Sequence, residues 1–341
     1  MSSTAPELSP AVLEIDAVAV ADALAAGLQQ AVRGRLRKRG AVVALSGGID
    51  SSVVVALSAR ALGPDNVLAV LMPERDSAEE TLHLSRLAAE SQGVATELED
   101  VTEALEAVGA YRRRDEAFRD LIPEYGPGWK AKIVLPPIVG EDTFRVFSVV
   151  ARSPSGDEMR VRVTVDAYRR IVAATNFKQR VRKMLEYYHA DRLDYAVAGT
   201  PNRLEHDLGF FVKNGDGSAD AKPIAGLYKS QVYELASAIG VPEEIVSRTP
   251  TTDTYPLAQD QQEFYFALPY EQMDLALYAR TNGYPPGSLA TALDISLEDA
   301  ERIYRDIDAK RRVAELLHLP PLTPAEDAVA APVSPAGSVS A

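Results

Sequence analysis

The fold of this chain is decided by the stretch Ser46-Gly47-Gly48-Ile49-Asp50-Ser51-Ser52. It follows the apolar run 41–45, whose small and β-branched side chains are typical of a buried parallel strand. A second apolar run begins at residue 53 and leads to Gly63, a pattern that indicates a helix with a glycine at its C-terminal end. The stretch is therefore predicted to link the carboxyl end of a strand to the amino end of a helix.

The predicted loop has the properties of a phosphate site. Unpaired N–H groups and the positive end of the helix dipole meet there, and two glycines let the backbone approach a ligand closely. Three serines add hydroxyl donors. Asp50 would repel a phosphate unless a cation lay between them, so the loop predicts bound Mg²⁺. An ordinary Gly-Gly turn before a helix is the alternative interpretation.

Two common nucleotide-binding patterns are absent from this sequence. It has no Gly-x4-Gly-Lys-Ser/Thr segment, and no Gly-x-Gly-x-x-Gly segment follows a predicted strand. The loop resembles instead the pyrophosphate loop of the ATP pyrophosphatases. That resemblance implies an enzyme that cleaves ATP between the α and β phosphates, adenylates a substrate oxygen and releases pyrophosphate.

Strand and helix patterns alternate on both sides of the loop. The predicted fold class is therefore α/β, a doubly wound and mostly parallel sheet with helices on both faces, and a nucleotide would bind at the carboxyl ends of its strands. Further strands are predicted at 67–72, 96–98 and 194–200, and helices at 13–39 (ended by Gly40), from Ser77, and at 101–108, 168–189, 227–239, 275–281 and 297–317.

Residues 110–165 interrupt this alternation. Three runs rich in Val, Ile and Phe, at 130–136, 143–152 and 159–165, are separated by residues that favour turns. They predict a small antiparallel β-meander inserted into the α/β domain. Two roles stay open for it, a surface elaboration without catalytic function and a part in substrate choice or dimerisation.

Length and composition indicate a globular protein with one large domain. The 341 residues are 46% hydrophobic, and the domain is predicted over residues 15–318 with the insertion at about 110–165. Residues 1–14 are predicted to be a flexible N-terminus. Residues 319–341, rich in Pro, Ala and Ser, are predicted to be a disordered tail.

Charge and cysteine content narrow the function. The formal net charge of −13 makes nucleic acid an unlikely partner, and the sequence lacks both an 18-residue apolar run and a secretory signal, so a cytoplasmic location is expected. With no cysteine, the chain cannot hold a cysteine-dependent glutaminase. An enzyme of this sequence that needs nitrogen would use free ammonia, or ammonia from a separate glutaminase.

Four segments of the second half, together with the loop at 46–52, resemble ammonia-dependent NAD synthetase. The segments are 199–205, 209–217, 223–232 and 250–253. The resemblance covers about residues 40–110 and 170–315. It implies an adenine nucleotide alpha hydrolase-like fold, a homodimer and the reaction deamido-NAD + ATP + NH₃ → NAD + AMP + pyrophosphate.

The same resemblance implies the residues of the ATP site. Asp50 and Glu205 would hold Mg²⁺, and Asp50 and Lys229 would be catalytic. The implied ATP-binding residues are Leu45, Ser46, Gly47, Gly48, Ile49, Asp50, Ser51, Ser52, Thr200, Lys229 and Thr251.

The acid-binding residues are implied in the same way. Asn176, in a segment that resembles the family's Asn-x-Lys-Ala-Arg, would lie near the pyridine ring. Lys213 and Asp220 would lie at the reacting carboxylate and be catalytic, with Asp220, expected to be buried, holding ammonium and helping it to lose a proton. The implied substrate-binding residues are Asn176, Arg180, Lys213, Asp220 and Lys310.

Departures from the family pattern keep other functions open. Ala309 stands where the family usually has a histidine, the insertion at 110–165 is long, and the segment 252–264 lacks the acidic, glycine-containing sequence that is more usual there. A related enzyme that amidates another carboxylic acid, in specialised or polysaccharide biosynthesis, is one alternative. A tRNA-modifying ATP pyrophosphatase and a non-catalytic nucleotide-binding protein are two others.

Overall fold

A computed structural model describes residues 7–135, 138, 147–248, 251–252, 255–257, 259–260, 265–266 and 268–323. Its centre is a parallel four-stranded sheet in the order β3-β2-β1-β7. Val42 of the central strand pairs with Leu68 on one side and with Val197 on the other. The four strands are β1 (Gly40–Ala44), β2 (Val67–Leu71), β3 (Ala95–Leu98) and β7 (Tyr195–Ala198).

Helices cover both faces of this sheet, because successive residues of its buried strands point to opposite sides. The described α-helices are α1 (Ala17–Gln29), α2 (Ile49–Leu62), α3 (Glu79–Ser91), α4 (Thr102–Ala107), α5 (Ala110–Arg119), α6 (Val165–Leu193), α7 (Arg203–Leu208), α8 (Lys229–Ala238), α9 (Glu243–Val246), α10 (Tyr270–Thr281), α11 (Pro286–Leu293) and α12 (Leu297–His318). Val43 packs with α1, α2 and α8, whereas Val42 packs with α4, α5 and α6. The doubly wound fold predicted from the alternation is confirmed.

The inserted β-meander is also confirmed. Its antiparallel strands are β4 (Lys130–Val134), β5 (Ser148–Arg152) and β6 (Glu158–Arg162). One face of the meander packs on α5 and on the start of α6, through side chains such as Ile133 and Val149. The predicted strand at 143–152 begins at residues 143–146, which lie outside the described residues.

The predicted first helix has wrong bounds. Regular α-helix ends at Gln29, a π-helical segment continues to Arg35, and Arg37 has a φ of +56°. Gly40 does not end this helix, because it is the first residue of β1. A Cβ there would lie 2.1 Å from the carbonyl oxygen of Asn66, so close packing of the backbone explains this glycine.

The predicted start of α3 also needs correction. The helix begins at Glu79 with Ala78 as its N-cap residue. Ser77 does not cap it, since its hydroxyl accepts a hydrogen bond from the backbone N–H of Glu74 at 3.1 Å. Helices α5, α7, α9 and α11 were not predicted, because they are short and lack a long apolar repeat.

The chain termini bear on the predicted domain limits. Pro10–Leu13 forms a 3₁₀ helix, and Leu8 and Leu13 are buried in the apolar cluster formed by α7, α10, α11 and α12. Residues 1–6 and 324–341 lie outside the described residues, so the domain limits and the disordered tail stay predictions. In the described part of the chain, no helix combines the length and the apolar character needed to cross a membrane.

The close approach at Gly40 predicts a large effect of one methyl group. We expect Gly40→Ala to lower the free energy of unfolding by about 3 kcal/mol or more, because the backbone of Asn66 and the ring of Tyr195 would both have to move. Gly27→Ala is the matched control. Gly27 lies in α1 with open space around its Cβ position, so that change should raise stability by about 0.5–1 kcal/mol. Urea unfolding of the two variants checks the prediction, and equal effects would contradict it.

Candidate active site

The loop between β1 and α2 has the geometry of an anion site. Gly47 has a φ of +68° and packs against α3, where a Cβ would lie 2.7 Å from the carbonyl oxygen of Thr81. Ser51 and Ser52 donate hydrogen bonds from their hydroxyls to the carbonyl oxygen of Gly48, both at 2.9 Å. These bonds hold the first turn of α2, so that its N–H groups point to the carboxyl end of the sheet.

A cavity of about 450 Å³ opens directly above this loop. It is bounded by the carboxyl ends of β1, β2 and β7 and by one side of α6. The sequence-predicted residues that line it are Leu45, Ser46, Gly47, Gly48, Ile49, Asp50, Ser51, Asn176, Thr200, Glu205 and Lys229. The fold thus brings most of the predicted ATP site together, as expected for ligands of doubly wound sheets.

Asp50 is the centre of a group of polar side chains in this cavity. Its Oδ2 forms an ion pair with Lys229 Nζ, and its Oδ1 accepts a hydrogen bond from Asn202 Nδ2 at 3.1 Å. Asn202 also connects to Glu205, because each side chain accepts a hydrogen bond from the backbone N–H of the other at 3.2 Å. These reciprocal bonds form the capping box at the start of α7.

The pKa values of Glu205 and Lys229 are shifted in this group. Burial and, after it, the negative charge of Asp50 raise the pKa of Glu205 to about 8, while Lys229 opposes the shift. Burial alone would lower the pKa of Lys229, but the carboxylates of Asp50 and Glu205 outweigh it and hold the pKa above its usual value. Lys229 therefore stays a cation, and the two carboxylates compete for it.

Two residues at the site were missed as functional candidates, Asn202 behind the cavity lining and Asp216 within it. Asn202 is buried and joins Asp50 to Glu205, and the Asn-x-x-Glu spacing of a capping box was the signal that could have found it. Asp216 lines the cavity and accepts a hydrogen bond from the backbone N–H of Val212 at 2.9 Å. Burial raises the pKa of Asp216, with Lys183 opposing the shift.

Other predicted residues do not line the cavity. Asp220 is exposed, so the expectation that it is buried is wrong; its carboxylate accepts the backbone N–H of Val197 at 2.8 Å. Lys213 is exposed and donates to the carbonyl oxygen of Leu319 at 3.2 Å.

The remaining predicted residues are placed as follows. Arg180 is exposed, and Lys310 pairs with Asp306 at 2.7 Å. Ser52 lies behind the loop, with 1% of its surface exposed. For Thr251 the structure describes only the backbone, in a two-residue strand.

Buried charged side chains also hold in place the segment after β2, which forms part of the cavity wall. Lys178 Nζ bonds to Glu74 Oε1 at 2.6 Å, and Glu74 Oε2 accepts the hydroxyl of Tyr111 at 2.7 Å. Arg114 Nη1 pairs with Asp76 Oδ2 at 2.6 Å. The segment after β2 is therefore tied to both α5 and α6, which fixes its place beside the phosphate loop.

The fold and the loop define the class of the protein, a doubly wound α/β protein with a nucleotide-type site at the carboxyl ends of its strands. The profile of the NAD synthase family matches residues 20–122 and 157–313. The chain belongs to the NAD synthase family. The unmatched residues 123–156 contain β4 and β5 of the meander.

Named relatives agree with the profile. The chain is 54% identical over 309 residues to the NH(3)-dependent NAD(+) synthetase of Rhizobium meliloti, covering 91% of this chain and 92% of that protein. It is 53% identical to the protein of the same name from Mesorhizobium japonicum, covering 92% and 98%. The solved structure of NMN synthetase from Francisella tularensis has a similar fold, with a TM-score of 0.63 at 20% identity, covering 91% of this chain and 99% of that one.

The raised pKa of Glu205 predicts a cost to stability that depends on pH. Without bound metal, the folded protein holds a proton on Glu205 up to about pH 8, whereas an unfolded Glu loses it near 4.5. Stability therefore falls as the pH rises between these values. Glu205→Gln keeps the acceptor for Asn202 and removes the charge, so we expect it to raise Tm by about 2–6 °C at pH 8.5 and by less at pH 6.

Thermal unfolding in EDTA at several pH values checks this prediction. Glu103→Gln, at an exposed position in α4, is the matched control and should leave Tm unchanged at each pH. A Glu205→Gln variant less stable than wild type at pH 8.5 would contradict the prediction, because it would show that the Glu205 carboxylate does not destabilise the folded protein.

Proposed function

We propose that this protein is an ammonia-dependent NAD synthetase that adenylates the carboxylate of deamido-NAD with ATP, releases pyrophosphate and transfers ammonia to give NAD and AMP. The observation that carries the proposal is the group formed by Asp50, Asn202, Glu205 and Lys229 above the phosphate loop. The high identity with NH(3)-dependent NAD(+) synthetases over most of both chains supports the choice of acid and disfavours the alternative of another carboxylic acid. Membership of the family likewise disfavours tRNA modification.

The loop and Lys229 would hold the pyrophosphate part of ATP. The start of α2 offers backbone N–H groups and the positive end of its dipole, and the lysine offers a full positive charge from a buried position. Charge develops on the leaving pyrophosphate, and fixed donors in a site that excludes water stabilise it most.

Asp50 and Glu205 fit a bound Mg²⁺. Both carboxylates line one cavity, Lys229 forms an ion pair with Asp50, and the negative charge of Asp50 adds to burial in raising the pKa of Glu205, so a bound cation would relieve the repulsion between them. The described residues hold no group of three or more His, Cys, Asp or Glu suited to a metal, which fits an ion that takes its other ligands from phosphate and water. When bound, the ion would neutralise negative charge on the phosphates.

The reaction requires activation of the acid because a carboxylate oxygen is a poor leaving group. Attack of the carboxylate on the α phosphate gives an acyl-adenylate, from which AMP leaves readily when ammonia attacks the carbonyl carbon. Holding the two substrates in line can supply about 7–11 kcal/mol of the barrier reduction. Thr200, on the loop after β7, and Asn176, on α6, both line the cavity and would border the two substrates.

We place the ammonium at Asp216 rather than at Asp220. Asp216 lines the cavity and its pKa is raised by burial, so it can hold ammonium and accept its proton more readily than an ordinary carboxylate. Asp220 is exposed and bonds to the main chain. Contacts of the acid with Arg180, Lys213, Asp220 and Lys310, the ATP contact of Thr251, the homodimer, a separate glutaminase and the cytoplasmic location remain predictions from the sequence.

The reaction itself is the first test. Protein incubated with MgATP, deamido-NAD and ammonium should form NAD, AMP and pyrophosphate in equal amounts, at a turnover of about 1 per second or faster. Nicotinic acid mononucleotide, the corresponding acid of a smaller nucleotide, should react far more slowly. Asp50→Asn should lower kcat/KM for MgATP by about 100-fold or more, because it removes the centre of the charged group.

Either of two outcomes would contradict the proposed function. Pyrophosphate release that depends on nicotinic acid mononucleotide and not on deamido-NAD would keep the ATP chemistry and replace the acid. Binding of ATP without any release of pyrophosphate would favour the non-catalytic alternative.

The assignment of Asp216 predicts a separation of two steps. Asp216→Asn should leave the exchange of labelled pyrophosphate into ATP within about threefold of wild type, since exchange reports adenylate formation alone. NAD formation at limiting ammonium should fall by about 10–100-fold, as expected for the loss of a general base. Asp65→Asn, at an exposed position outside the residues that line the cavity, is the matched control, with both rates nearly unchanged. Equal loss of exchange and of NAD formation in Asp216→Asn would contradict the assignment.

A further inference from the structure

Helix α10 holds the backbone of Lys229. Asp274, at 0% exposure, accepts the backbone N–H of Lys229 on Oδ1 at 3.1 Å and that of Ser230 on Oδ2 at 2.7 Å. Lys229 and Ser230 are the first two residues of α8, whose N–H groups have no acceptor within their own helix. Both carboxylate oxygens are therefore used to fix the point at which the Lys229 side chain leaves the main chain.

The same helix also holds the other end of the Lys229 side chain. The ring of Tyr270, the first residue of α10, has its centroid 5.4 Å from Lys229 Nζ, and the ring of Tyr233 lies 6.0 Å away. These distances are in the range of cation–π attraction. Lys229 has 1% of its surface exposed, and its ammonium group pairs with Asp50 beside the rings of Tyr270 and Tyr233.

Simple stabilisation of α8 does not account for this arrangement. A serine, threonine or asparagine before a helix caps it without burying a charge, whereas Asp274 comes from a helix 45 residues further along the chain. Burying a carboxylate is costly unless several donors compensate it. Burial raises the pKa of Asp274 to about 6 and the N–H groups of α8 oppose the shift, so the group is mostly ionised at neutral pH.

We infer that Asp274 and Tyr270 are positioning residues for Lys229. Asp274 binds the backbone of Lys229 and Tyr270 contacts its ammonium group, so α10 sets the position of that positive charge relative to Asp50 and the leaving pyrophosphate. The inference rests on the proposed function, which gives Lys229 its role. It extends the site to a helix packed behind α8, outside the residues that line the cavity.

The first test compares two buried positions of α10. Asp274→Asn should lower kcat/KM for MgATP by about 10–100-fold while KM for deamido-NAD changes less than about twofold. Leu277→Ala, at 0% exposure in the same helix, should destabilise the protein at least as much and leave kcat/KM for MgATP within about twofold. Equal losses in the two variants would mean that Asp274 serves stability alone.

A double-mutant cycle with Lys229→Met tests whether Asp274 acts through Lys229. If Asp274 acts through the lysine, adding Asp274→Asn to Lys229→Met should cost less than about threefold more, since the effects of residues that act as a unit do not multiply. A full further loss in the Lys229→Met background would overturn the inference.

If Asp274→Asn does not fold, two substitutions of Tyr270 test the same inference. Tyr270→Phe keeps the ring and should retain activity, whereas Tyr270→Leu should lower kcat/KM for MgATP by about fivefold or more, and only when Lys229 is present. Equal activity of the two variants would contradict the inference. All rates are measured as pyrophosphate release with the acid that wild type accepts, so absence of NAD in wild type would count against the proposed function alone.

Discussion

The ion pair between Asp50 and Lys229 is the interaction on which the site depends. Its two residues start different helices, α2 and α8, and both side chains reach the cavity above the carboxyl ends of the strands. Pairing of β1 with β7 brings Asn202 and the first turn of α7, which carries Glu205, to the same edge of the sheet. Because removing one partner of a buried pair leaves an unpaired charge, the pair constrains both helices at once.

The insertion packs against residues that line this cavity. Tyr168 and Tyr255 belong to the apolar cluster formed by the meander, α5 and α6, and both tyrosines also line the cavity. Leu257, two residues after Tyr255, donates its N–H to Ala131 of β4 at 3.4 Å. Strands β4 and β5, which lie outside the family profile, thus pack behind one wall of the cavity.

The sequence was sufficient to predict the parallel sheet and the strand–loop–helix around residues 46–52, because these depend on local pattern, whereas Glu205, which lines the same cavity as Asp50, was implied by the family resemblance. It was insufficient for features that depend on packing between residues far apart in the chain. Gly40 resembles a helix end but is needed for the approach of Asn66, and Asp220 and Asp216 look alike in sequence although one is exposed and the other lines the cavity. The helix α10 was predicted only as 275–281, without its first turn.

Attack of the acid on the α phosphate of ATP can be detected by the transfer of an oxygen label. Deamido-NAD carrying ¹⁸O in its carboxylate is converted in the presence of MgATP and ammonium, and the products are examined by mass spectrometry. If the acid is adenylated, one ¹⁸O atom appears in the phosphate of AMP and none in pyrophosphate. Label in inorganic phosphate, with ADP as the other product, would mean that the acid is phosphorylated instead and would contradict the account.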